Sequence, residues 1–331
     1  MEGKQSRRTF LKGITAAGAG LLVGGKLAPV FAKENKYSST VINVRNKNAQ
    51  DAAHKFNAEI IQAMVFEGVR KMSNTRTDTA AWSTYFTPKD VVGIKINCLF
   101  GPGASTHAEV VNAVIAGLKL AGVKPDNIIV WDRSDGDLAK NGYEINRDKP
   151  GVKYFGTNSD YDTAETQQGS FKGRLSKILT ERITALVNVP ILKDHGIAGV
   201  TLSFKNHYGS INNAGAQHGN NCNPFLADLY SVPVIRSKTR LIVCDAIRPL
   251  ANGGPGLNPG FLWDYNGILV GTDPVALDHS GWQIIEDRRK EIKLPTLAEA
   301  GRPVGYLETA AKLGLGTNAP SKIRVVENFK I

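Results

Sequence analysis

Short apolar runs alternate with stretches of helical periodicity along most of the chain. Strand-length runs fall at Val41 to Val44, Val91 to Asn97, Asn127 to Asp132, Ala185 to Val189, Arg240 to Asp245, Ile268 to Val270 and Ile323 to Val326. Between the first two, Ala52 to Met72 repeats Phe56, Ile60, Met64 and Val65 at helical spacing, with charged residues on the other side. His107 to Ala121 predicts a second helix, with Thr106 and Glu109 as a capping box. A third begins at Asp273-Pro274, where the aspartate caps and the proline fits the first helical turn. Strand and helix in alternation predict an α/β fold, a mostly parallel sheet flanked by helices, of doubly wound type. Residues 136–173 are polar and weakly periodic and read as an insertion or a lid.

Composition narrows the class. With 331 residues, 42% of them apolar and 21% charged, the chain is globular and long enough to bury a full core. Its three cysteines, Cys98, Cys222 and Cys244, include no C-x-x-C pair, so a four-thiolate zinc site or iron–sulfur cluster cannot be built within the chain. A disulfide-stapled miniprotein is excluded for the same reason of count and length.

Part of the basic balance, 41 Lys plus Arg against 30 Asp plus Glu, sits at the amino terminus. Residues 6–12 read S-R-R-T-F-L-K, followed by a glycine- and alanine-rich apolar stretch over 13–25 and by Val30-Phe31-Ala32. A basic start, an apolar middle and a small-residue end are the three parts of an export signal. The apolar stretch is too short to span a bilayer, which takes about 20 residues, so removal rather than anchoring is expected. The arginine pair resembles the twin-arginine signal, an address read by a receptor. That resemblance implies the twin-arginine translocase as a partner, a periplasmic or otherwise exported location, and passage of an already folded chain. Cleavage after Ala32 leaves residues 33–331 as a single α/β domain with a formal charge of +7. A moderately basic domain favours anionic ligands. Nucleic acid is not expected, since no basic and aromatic stripe is present, and Arg288-Arg289-Lys290 alternates with acids as on a solvated helix face.

In open parallel sheets ligands bind beyond the carboxyl ends of the strands. Here those ends carry Lys95 and Asn97, Asp132, Asp245, and the group Lys193, Asp194 and His195. Each carboxylate alone could simply cap a helix or fix a turn; gathered on one edge, such groups would perturb one another strongly. The segment Lys193 to Cys222 holds His195, His207 and His218 among six histidines in the whole chain. Imidazoles with a carboxylate suit a transition metal, and His195, His218, Asp132 and Asp245 form the candidate ligand set. Their spacing is wider than a chelate on one helix. Without a metal, Lys193, Lys205 and Asn206 could hold an anion while His195 moves a proton. His207 reads as a partly buried side chain in a helical pattern. The glycine-rich loop 101–106 follows a strand and opens a helix but matches no nucleotide motif. The loop 253–260, with Gly253 and Gly254, either lines the pocket or turns the chain. No G-x-S-x-G elbow is present.

Seven motifs in order are I-K-I-N at 94–97, V-P-I-L-K-D-H at 189–195, G-V-T-L-S-F-K-N-H-Y-G at 199–209, His218, I-V-C-D at 242–245, G-G-P-G at 253–256 and T-D-P-V-A-L-D at 272–278. Together they resemble the bacterial and archaeal family called domain of unknown function three-six-two. The resemblance implies that Lys95, Asn97, Lys193, His195, Lys205, Asn206, His218 and Asp245 line one pocket. Many relatives carry a ferredoxin-like cluster domain, whose cysteines this chain lacks. The resulting expectation is an exported enzyme with a metal or anionic cofactor in that pocket, doing acid–base or redox chemistry. Lys193, His195 and Lys205 would be catalytic, and Lys95, Asn97, Asn206, Gly253 and Gly254 would bind the cofactor. The alternative is a periplasmic binding or accessory protein that holds a small anionic ligand without turning it over.

Overall fold

The computed structural model describes residues 37–330, so the export segment of residues 1–32 lies outside the described residues. The strands are β1 (Ser39–Asn46), β2 (Val92–Lys95), β3 (Ile128–Trp131), β4 (Lys153–Tyr154), β5 (Thr166–Gln168), β6 (Phe171–Gly173), β7 (Ala185–Asn188), β8 (Ile191–His195), β9 (Gly199–Thr201), β10 (Thr239–Leu250), β11 (Gly267–Gly271) and β12 (Ile323–Lys330). Helices α1 (Ala58–Ser73), α2 (Asp78–Ser83), α3 (Ala108–Leu120), α4 (Asp135–Lys140), α5 (Ser203–Asn206), α6 (Phe225–Ser231), α7 (Pro233–Lys238), α8 (Pro274–Glu291) and α9 (Tyr306–Lys312) connect them.

The main sheet runs β12-β1-β11-β10-β7-β2-β3-β4. Every neighbouring pair in that order is parallel except the two made by β11, which is antiparallel to both β1 and β10. β8 adds to the far half of β10, and β9 folds back on β8. This is an α/β fold with a mostly parallel sheet and helices on both faces. Consecutive residues of one strand face opposite layers. On β10, Ile242 and Cys244 pack with α6, α8 and α9, whereas Val243 packs with α1 and α3. Both faces are therefore apolar, as a sheet covered on two sides requires.

Winding outward from the middle, β2 leads to β3 and β4 on one side, and β7 leads to β10 on the other. The order reverses between β2 and β7. Crossovers leave a crevice at such a point, outside the carboxyl ends of the strands.

Local departures from expectation have identifiable causes. α1 starts at Ala58, not Ala52, because the Asn57 side chain caps it by accepting from Ile60 N. The expected capping box at α3 does not form. His107 is the N-cap residue without a side-chain cap bond, and Thr106 Oγ1 instead accepts from Asn97 N and donates to the Val189 carbonyl. Asp273 does cap α8, accepting from Val275 N and Ala276 N. The basic run on α8 is split. Arg289 is buried and donates to the Ala251 and Pro295 carbonyls and to Asn252 Oδ1. Residues 136–173 hold most of α4, strand β4 at the sheet edge, and the separate β5–β6 hairpin.

Candidate functional site

The reversal crevice opens into a cavity of about 340 Å³, lined among others by Asn97, Asp132, Lys193, His195, Thr201, Lys205, Asn206 and His218. Strand alternation explains which residues of β8 face it. Lys193 and His195 share one face and line the cavity, with Thr201 directly across from Lys193 on β9. Asp194 faces the other way, where Oδ2 accepts from Arg302 Nη1 at 2.6 Å and Oδ1 accepts from Gly254 N at 2.7 Å.

Lys193 Nζ donates to Ala104 O at 2.5 Å and to Asn97 Oδ1 at 3.2 Å. Lys205, on the short α5, donates to His218 Nε2 at 3.0 Å and lies over the Tyr208 ring, 3.8 Å from its centre. Both lysines are buried, and neither forms an ion pair among the described residues. Burial disfavours their charged forms, lowering Lys193 to about 7 and Lys205 to about 8.

His195 is held by its own turn. Its Nδ1 accepts from Ile197 N and Ala198 N, each at 3.1 Å. An imidazole with an occupied Nδ1 lone pair carries its proton on Nε2, so the ring offers the cavity an N–H donor. Burial and the neighbouring Lys205 lower its pKa to about 2, which keeps it neutral. The His218 ring stacks alongside, 5.7 Å away centre to centre. Thr201 Oγ1 is buried, lines the same cavity and has no hydrogen-bond partner. A buried hydroxyl without a partner is costly unless a ligand completes it.

Beneath these groups lies a closed polar layer. Lys95 Nζ donates to Asp132 Oδ1 at 2.7 Å, to Ile96 O at 2.7 Å and to Asn206 Oδ1 at 3.3 Å. Those three bonds use every proton of the ammonium, so Lys95 supports the site from below and does not bind a ligand as expected. Asp132 Oδ2 accepts from Cys98 N, and Asn206 Nδ2 donates to Lys95 O and Asn188 Oδ1. Gly209 seals the layer: a Cβ there would stand 2.2 Å from Asp132 Oδ1 and 2.6 Å from Lys95 Nζ. Asn188 lies just outside the motifs, and Thr201 and Gly209 fall within the 199–209 run, where residue type alone does not mark them.

Of the candidate metal ligands, Asp132, His195 and His218 line the cavity and Asp245 does not. Asp245 lies off the cavity, where it accepts from His107 N and Nδ1 at 2.8 Å and from Ile247 N at 3.1 Å. Asp132 is committed to Lys95. His195 would have to surrender its Nε2 proton, and His218 already accepts from Lys205. Among the described residues no group of three or more His, Cys, Asp or Glu side chains could hold a metal ion. The donor set present fits an anion, not a metal. Gly253 and Gly254 do not line the cavity; their loop packs on β8 through Gly196 N to Gly254 O, and Pro255 reaches the cavity instead. His207 is buried beside Asn188 and Ser210 and lowered by that burial to about 3. The three cysteines are buried and free, and burial raises each thiol, so none is a reactive thiolate.

A model of the family described as Domain of unknown function (DUF362) matches residues 92–283, a span that holds every cavity-lining residue named above. No curated protein matches the chain. A crystal structure of a Thermotoga maritima protein is similar at 9% identity and a TM-score of 0.42, with 71% of this chain and 59% of that one covered. This chain thus spans less than two thirds of that protein's length.

Proposed function

The chain belongs to the family described as Domain of unknown function (DUF362), and from the chemistry of its cavity we propose that it is an exported enzyme that binds a small anion and moves a proton on it. The observation that carries this reading is the meeting in one cavity of four groups that each keep at least one proton to donate: the Lys193 and Lys205 ammonium groups, the Nε2–H of His195 and the Thr201 hydroxyl. Two buried cations without a counter-ion are stabilised only by an anion or by losing their protons. Lys193, with its pKa lowered to about 7, does both near neutral pH. Its protonated form holds an anion with Lys205; in its neutral form, with the anion held by Lys205 alone, it acts as the base that takes a proton from the bound molecule. The neutral His195 N–H and the Lys205 ammonium face the negative charge that develops, the arrangement that lowers such barriers. His195 is thus a fixed donor here and not the proton carrier.

Export rests on the S-R-R-x-F-L-K run at residues 6–12. Replacing Arg7 and Arg8 by lysine in the native host is expected to leave the chain inside the cell. Titration calorimetry of the chain from Lys33 onward with acetate and inorganic phosphate tests the anion site. Loss of binding in Lys193→Met and Lys205→Met is the expected result. Deuterium exchange followed by proton NMR over a panel of small acids, read at C3 of 2-oxo acids and at C2 of 2-hydroxy acids, tests turnover. Anion binding with no exchange on any member favours the periplasmic binding or accessory role instead.

A further inference from the structure

Of seven large apolar side chains exposed among the described residues, three gather at one place: Leu99, Phe100 and Ile197, at 39%, 43% and 42% exposure, all line the anion cavity. A fourth, Leu257 at 44%, lies against Gly103 in the loop after β2, and its neighbour Gly256 faces Phe100. The cavity is therefore charged at its floor and apolar at its mouth. Single exposed apolar residues are ordinary on a protein surface, but a contiguous cluster with polar groups beside it marks a binding site. Phe100 connects the two zones, since Lys193 Nζ lies 5.1 Å from the centre of its ring. A bare inorganic anion would reach the lysines yet leave this mouth uncovered.

Building on the anion reading above, we propose that the natural occupant is an amphiphile: a small anionic head held at Lys193 and Lys205, with an apolar body that runs out between Leu99, Phe100 and Ile197. The mouth then selects by length and apolar character while the floor selects by charge. An apolar surface beside cations also suits docking on an anionic membrane, but the cations here are buried at the cavity floor and out of a bilayer's reach. A single molecule with a narrow head can reach them.

Straight-chain carboxylates from acetate to decanoate, each below its micelle concentration, provide the probe in titration calorimetry. Burial of one methylene contributes about 0.8 kcal/mol, roughly fourfold in affinity. Affinity is expected to climb by about that factor per carbon over the first several carbons and then level off where the chain clears the mouth. In a Leu99→Ser/Ile197→Ser double variant the octanoate-to-acetate affinity ratio is expected to fall at least tenfold. Equal affinity for acetate and octanoate in the unaltered chain overturns the amphiphile and leaves the anion site standing. Failure of every carboxylate to bind overturns both. Sedimentation with anionic lipid vesicles that is lost in the double variant, together with a flat carboxylate series, reassigns the mouth to membrane docking and overturns the proposal.

Discussion

Lys205 Nζ stands 3.0 Å from Nε2 of His218, whose Nδ1 is already given to the Ala214 carbonyl 2.8 Å away. That ring can only accept from the lysine, so it orients the ammonium without neutralising it. The pocket consequently holds positive charge in reserve, as the proposed anion requires.

Anion affinity should depend on pH with a definite sign. The binding forms of Lys193 and Lys205 are protonated, and these groups lose their protons around 7 and 8. Acetate affinity is expected to be flat below about pH 6.5 and to drop by roughly tenfold or more by pH 9. Calorimetry in buffers of different ionisation enthalpy near pH 7.5 should also register proton uptake on binding.

Stability of the ligand-free protein should move the opposite way at Lys193. Its folded pKa of about 7 lies below the ordinary lysine value, so between them the unfolded chain binds more protons. The cost is full below about 7 and is relieved as pH rises through that window, which makes unfolding harder in alkali. Lys193→Met is expected to raise stability at pH 6.5 by about 1–3 kcal/mol and to flatten this dependence. Urea unfolding of both proteins at pH 6.5 and pH 9 checks it.

For His195, nitrogen NMR should show one neutral tautomer, protonated on Nε2, from about pH 4 to pH 9. His195→Phe removes a single donor and should weaken acetate binding about tenfold without changing its pH profile. A ring that titrates near neutrality would restore this residue to the role of proton carrier.

The turn that bears Lys205 is fastened from a distance. Asp278, on α8, accepts from Ser203 N at 2.8 Å, Ser203 Oγ at 2.6 Å and Phe204 N at 3.2 Å. Asp278→Ala strands these buried donors and should cost about 3–5 kcal/mol of stability, with acetate binding lost even where the protein remains folded. Thermal unfolding combined with calorimetry at a low temperature separates the two effects.

Gly209→Ala places a methyl group against the Lys95–Asp132 pair. A loss of about 2–4 kcal/mol is expected in denaturant unfolding, since the facing atoms are a buried ion pair with no room to retreat.

Much of this architecture was legible from residue order alone. The runs that became β1, β2, β3, β7, β10, β11 and β12 are apolar enough to announce themselves. β8 was hidden because Lys193, Asp194 and His195 interrupt its pattern, and a strand whose polar residues face a cavity and a buried arginine looks like a loop. Sequence reasoning assembled most of the residues around the crevice, because they end neighbouring strands. Which of them are available is not legible that way, for a physical reason: hydrogen-bond partners decide whether a lysine or carboxylate is free, and those partners lie far along the chain. Lys95 and Asp132 satisfy each other; Asp245 belongs to His107, which residue type alone did not mark; Thr201 acquires meaning only from the lack of a partner.

The position of β1 has a temporal consequence. It pairs with β11 on one side and β12 on the other, so Ser39–Asn46 emerges from the ribosome more than two hundred residues before either neighbour exists. Until Gly267–Gly271 is made, this strand has no partner in the sheet, and its other edge stays open until Ile323–Lys330 follows. The first strand of the described residues is thus among the last to be seated on both edges.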